Sequence, residues 1–137
     1  MAKRKKVKRF VIDVNSFITL FINRETDWLL QYILKNKLEI FIDNNLLSEL
    51  LRVLDYPRIR KLLPLDKHIY ANFVSLISTH IKADNHHINS PDKDDNYLYD
   101  IALTANAKLL VTGEKALLSW TNTPVETINL TTFKELF

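Results

Sequence analysis

The chain has 137 residues, 47% of them hydrophobic and 26% charged, which suits one domain with a buried core. It contains no Cys and a single Gly, Gly113. Disulfides, thiolate metal sites and Cys nucleophiles are therefore excluded, as are the multi-glycine turns that cradle nucleotide phosphates.

The net charge of +3 is unevenly spread. Lys3, Arg4, Lys5, Lys6, Lys8 and Arg9 form a basic start, and the remainder carries 13 basic against 16 acidic groups. Residues 1–9 read as a basic tail leading into the first strand, and 7–137 as one domain. The tail has two readings of equal weight: a phosphate-seeking arm centred on Lys3, Arg4, Lys5 and Lys6, or a solubilising end. Asp13 and Asn15 interrupt the apolar stretch that follows, so it does not read as a signal peptide, and no run reaches the length of a membrane span. A cytoplasmic protein is expected.

In chain order, a strand is predicted over 7–13, helices over 15–22 and 25–36, and a strand over 38–42. A helix capped from Asp43-Asn44-Asn45 runs to about 55, before Pro57. A helical stretch covers 66–80, a polar loop 81–92, and a helix 93–106. A strand at 108–112, a short helix at 114–119 and a strand near 125–128 follow. A last helix starts at about 132, where Thr132 and Glu135 match a capping box. This alternation implies an α/β fold with a mainly parallel sheet.

Four acids stand out. Asp13 terminates the apolar run Phe10-Val11-Ile12, and Glu114 follows Leu109-Leu110-Val111-Thr112-Gly113. Ligands of open α/β sheets bind outside the carboxyl ends of the strands. Asp13 could also serve as a helix cap, as could Thr112 or Glu114. Glu49 lies at the rim of a helix whose apolar face is Leu46, Leu50, Val53 and Leu54, placed to enter a cleft or to pair with a cation. Asp95 shares a helix side with Leu98, Tyr99 and Ala102. Burying a carboxylate there costs several kcal/mol unless it is paired or ligates a metal. The helix dipole accounts for Asp92 and Asp94, but not for the apolar company of Asp95. Thr112 is placed to hydrogen-bond nearby carboxylates, and the lone Gly113 suggests a corner with unusual dihedral angles. An all-oxygen site of this kind suits Mg²⁺ or Mn²⁺ and metal-assisted phosphodiester chemistry. The four histidines show no arrangement that points to a site.

Taken together, VIDVNSFITLF, LLSELLRVLDYPR and DKDDNYLYDIALTANAKLLVTGEKALL resemble, in order and spacing, the motifs of PIN-domain ribonucleases, most of all the toxins of bacterial toxin–antitoxin pairs. The resemblance implies a three-layer α/β/α fold around a sheet of about five parallel strands. It makes Asp13, Glu49 and Asp95 the core acids, with Glu114 at the fourth position, Asp92 an accessory acid, and Asn15 and Thr112 orienting groups. It implies Mg²⁺- or Mn²⁺-dependent cleavage of single-stranded RNA, a small antitoxin partner and a possible homodimer. Glu114 stands where the family usually has Asp, Ala116 replaces another usual Asp, and Lys93 replaces a usual Pro. These departures carry a second expectation, a PIN-like domain that binds RNA or a protein without cutting.

Overall fold

The computed structural model describes residues 8–137. Among these, five strands form one parallel sheet: β1 (Arg9–Ile12), β2 (Glu39–Ile42), β3 (Ser78–His80), β4 (Leu109–Val111) and β5 (Glu126–Ile128), in the order β3-β2-β1-β4-β5. Eight α-helices connect and cover them: α1 (Val14–Ile22), α2 (Thr26–Asn36), α3 (Asn44–Leu54), α4 (Pro57–Arg60), α5 (Lys67–Ile77), α6 (Asn96–Thr104), α7 (Lys115–Leu118) and α8 (Leu130–Lys134). The result is the expected three-layer α/β/α arrangement. Its central strands are buried because helices cover both faces of a parallel sheet, which is why Phe10, Val11, Ile12, Ile40, Leu110 and Val111 read as unbroken apolar runs.

The chain end closes this core. Phe133 on α8 is buried edge-on to Phe10 at 5.1 Å between ring centroids, and its carbonyl accepts a 2.6 Å bond from the Tyr32 hydroxyl. Tyr32 stacks on Trp28 at 4.6 Å, so α2, β1 and α8 meet in one aromatic cluster.

The structure departs from the sequence reading in four places. The helix expected over 66–80 ends at Ile77, and Ser78–His80 turns into the edge strand β3, paired only with β2. Its residues are polar and partly exposed, so no apolar run announces it; short polar edge strands also resist pairing with other chains. The segment beginning at Lys93 opens as a 3₁₀ turn, Lys93–Asp95, before α6 takes over. The last helix is capped by Asn129, whose side chain accepts from the Thr132 N–H at 2.8 Å, and not by a Thr132–Glu135 box. Pro57 does more than end a helix: it occupies the first turn of α4, where its missing N–H costs nothing.

Candidate metal centre

The register of β1 against β4 builds the floor of the site. Ile12 pairs with Val111, so the residues just beyond the two strands, Asp13 and Thr112, emerge side by side at the carboxyl edge. The Asp13 N–H donates to the Val111 carbonyl at 2.9 Å, and the Thr112 N–H to the Ile128 carbonyl at 2.9 Å. Both side chains are buried. The Thr112 hydroxyl donates to Asp13 Oδ2 at 2.6 Å, and the Ser16 N–H to Asp13 Oδ1 at 2.8 Å. Asp13 is thus the N-cap of α1 and a fixed carboxylate at the sheet edge at once. Burial pushes its carboxyl above the ordinary range, and hydrogen bonds from Ser16, Thr112 and the Gly113 backbone oppose that push.

Thr112 also sets the corner that follows. Its oxygen accepts from the Glu114 N–H at 3.1 Å, which swings Glu114 back over the strand ends. This turn does not require glycine. Gly113 lies outside the left-handed region, and a Cβ there would meet no atom within 4 Å, contrary to the dihedral strain its uniqueness suggested.

The second contribution comes from the loop entering α6. Asp92 caps the 3₁₀ turn through Oδ1, which accepts from the Asp94 N–H at 3.0 Å. The Ser90 hydroxyl donates to the Asp92 carbonyl at 2.6 Å, and the Ser90 N–H to Asn96 Oδ1 at 3.1 Å, pinning the loop to the helix start. Asp95 occupies the cap position of α6 but makes no capping hydrogen bond with its side chain. Its carboxylate instead joins those of Asp92 and Glu114, with one oxygen from each lying within 4.8 Å of the others.

Three carboxylates so close repel one another. Asp95 is pushed up to about 7, first by burial and then by the charges of Glu114, Asp92 and Asp13. A bound cation would relieve this repulsion, and the group's hard oxygen donors fit a divalent ion such as Mg²⁺ or Mn²⁺. Asp94, by contrast, is exposed.

A cleft of about 180 Å³ holds Asp13, Asn15, Glu49, Asp95 and Glu114 in one lining, together with Tyr56, Arg58, Tyr97, Val14, Val53 and Leu98. Glu49 and Asp13 line this cleft but stand outside the tight group of three, which Asp92 completes. Glu49 is engaged elsewhere: Arg52 on the next turn of α3 grips both its oxygens, with Nε to Oε2 at 3.0 Å. Arg52 in turn donates to the Tyr56 hydroxyl at 2.6 Å. Asn15 is exposed at the cleft mouth. Tyr97 is pushed up by burial and by the charges of Glu49, Asp95, Asp13 and Asp43, so its phenol keeps its proton.

Sequence reasoning passed over Tyr56, Arg58 and Tyr97, and the only signal available was their place within the LLSELLRVLDYPR and DKDDNYL blocks. Ala116 is exposed on α7 and does not line the cleft, and neither does any histidine among the described residues. The phosphate-seeking role expected of Lys3, Arg4, Lys5 and Lys6 lies outside the described residues.

A larger cavity of about 540 Å³ lies beside α4 and α5, lined by Leu54, Arg60, Leu63 and Tyr70 among others. Its two acids are already committed. Asp55 pairs with Lys67 at 2.7 Å, and Asp66 caps α5 through a 2.8 Å bond from the His68 N–H. It offers no comparable cation site. No helix among the described residues is long and apolar enough to cross a membrane.

A protein-family model described as a PIN domain matches residues 9–116, a span that contains every acid of the cleft. Comparison with curated proteins gives no match.

Proposed function

Since this chain belongs to the PIN-domain family, whose members are generally metal-dependent nucleases, we propose that it is a Mg²⁺- or Mn²⁺-dependent endoribonuclease acting on single-stranded RNA, the toxin of a toxin–antitoxin pair. The observation that carries the reading is the group of Asp92, Asp95 and Glu114 within 4.8 Å, in a cleft shared with Asp13 and Glu49. Asp95, Glu114 and Asp92 would hold the cation. Asp13 presents a carboxylate whose direction is fixed by Thr112 and Ser16. A bound divalent ion supplies a more acidic water and offsets charge on the scissile phosphate, so hydrolysis needs no protein nucleophile. Tyr97 keeps a neutral O–H donor in the cleft lining, and Glu49 would have to leave its pair with Arg52 to act on the substrate or the ion.

The same reading includes a small antitoxin, a possible homodimer and a cytoplasmic setting. Leu62, Leu65, Ile69 and Leu76 are all more than half exposed around α5, and they support a protein partner.

The test is cleavage of a single-stranded RNA with Mn²⁺, which should disappear with chelator and in Asp13→Asn. RNA binding without cleavage at any metal concentration would establish the second reading, the non-cutting domain, which the Glu114 and Ala116 departures favour. Glu114→Asp should raise the cleavage rate if the extra methylene misplaces that carboxylate; a slower variant would mean that Glu114 is already well adapted. Ala116→Asp alone should change little, because Ala116 is exposed and outside the cleft lining.

A further inference from the structure

A cleft lined by four carboxylates repels a polyanion, and a divalent cation bound there would offset only part of that charge. Among the described residues lining the cleft, Arg58 is the one cationic side chain. It is exposed and makes no ion pair with any described acid, although Glu49, Asp13, Asp95 and Glu114 share the same lining. Arg52, six residues earlier on α3, is by contrast spent on Glu49 and Tyr56.

The backbone fixes Arg58 in this place. Pro57 in the first turn sets the entry of α4, and the buried Ile59 anchors its inner side. Arg60, two residues further on and about 200° round the helix, lines the other cavity. A guanidinium held beside an acidic cleft, with its donors uncommitted, suits a bidentate contact with a phosphodiester oxygen pair. Tyr97, in the same lining, is an aromatic group on which a flanking base can stack, whereas the Tyr56 ring already lies under the Arg52 guanidinium at 5.6 Å.

We propose that Arg58 is the cleft's substrate-phosphate residue, clamping a phosphodiester of the single-stranded RNA against the metal-binding acids. This rests on the ribonuclease reading above, deepens it by naming how the anionic substrate is held, and can be tested apart from it.

The experiment uses the full chain with Arg58→Ala, Arg58→Lys and Arg60→Ala. Anisotropy of a labelled single-stranded RNA is measured in EDTA across a salt series, with Mn²⁺-induced thermal shifts and cleavage rates alongside. Arg58→Ala should bind RNA about tenfold more weakly, with a salt slope shallower by roughly 0.7, the value for one phosphate contact on a single strand. Its Mn²⁺ shift should be unchanged or larger, because removing a positive charge makes the cleft more attractive to a cation. A purely structural role would lower both responses. Arg58→Lys should recover part of the affinity as a point charge without the fork, and Arg60→Ala should leave the cleavage rate within about twofold, as expected of an exposed residue outside the cleft.

Unchanged RNA affinity and salt slope in Arg58→Ala would overturn the proposal, as would a loss of the Mn²⁺ response in that variant. If the parent never cuts RNA but Arg58→Ala still loses affinity and slope, the phosphate contact stands and the nuclease reading fails. If the parent cuts and Arg58→Ala cuts equally well with equal affinity, the nuclease reading stands and the contact fails.

Discussion

Replacing Asp95 by Asn should stabilise the metal-free protein while abolishing its response to metal. Asp95 lies within 4.8 Å of both Asp92 and Glu114. Two unit charges at that separation repel by about 1 kcal/mol in a water-like medium and about 3.5 kcal/mol at an effective dielectric constant near 20. The rise of Asp95 from 3.8 to about 7 would be worth about 4 kcal/mol at face value. The side chain is only half-buried, and solvent screening reduces this to about 1–2 kcal/mol.

The sign follows from linkage. A carboxyl whose folded pKa exceeds its unfolded value binds protons more tightly when folded, so its stabilising effect is complete below about pH 4 and lost as pH rises through about 7. Urea melts in EDTA should therefore show parent and Asp95→Asn nearly equal at pH 4. At pH 8 the variant should be ahead by about 1–2 kcal/mol, or about 3–7 °C in Tm for a chain of this length. Excess Mn²⁺ should reverse the order, because a ligand at 100 times its Kd stabilises the parent by about 2.7 kcal/mol. A variant less stable than the parent at pH 8 in EDTA, or a difference that does not change with pH, would refute the crowded-carboxylate account.

Thr112→Val keeps the shape of the side chain but removes the bond to Asp13 and the acceptor for the Glu114 N–H. It should cost about 1.5–3 kcal/mol, as for a hydrogen bond to a charged group. Because the lost bond opposes the upward push on Asp13, urea melts should show a larger loss at pH 8 than at pH 4, with RNA cleavage falling at least tenfold; equal losses at both pH values would count against Asp13 as the recipient. Removing residues 1–6 should weaken RNA binding and flatten its salt dependence without changing the cleavage rate at saturating substrate; coincident low-salt binding curves would make the tail a solubilising end.

The sheet was legible because burial on both faces leaves a plain mark, runs such as Phe10-Val11-Ile12 and Leu109-Leu110-Val111 that end in polar residues. β3 was not, because an edge strand of Ser78, Thr79 and His80 has no apolar face to display and continues the spacing of the helix before it. Among the acids, the company of Leu98 and Tyr99 marked Asp95 as more than a first-turn charge, and the absence of a capping bond agrees with that. Which oxygens approach most closely could not be read from spacing. Asp92 joins the tight group only because Ser90 and Asn96 pin the loop. Glu49 stays apart because Arg52 is one turn away, a partnership the i,i+3 spacing permits but does not require. Arg58 was invisible for a similar reason: PRIRK displays its charge, while only the packing of Ile59 decides which arginine faces the acids.

The bond from Thr112 to Asp13 spans 99 positions of the chain, and the same strand pairing that makes it also anchors the Asp13 backbone. During synthesis from the N-terminus, β1 and α1 exist long before their partner does. The carboxylate at residue 13 lacks its bond from Thr112, and Glu114 is absent, until β4 and the turn beyond it have been made and have docked. A cleft that waits on the longest-range strand pairing of the sheet is assembled only late in translation, and a truncated product ending before β4 carries Asp13, Glu49, Asp92 and Asp95 without Glu114 or the Thr112 bond that orients the first of them.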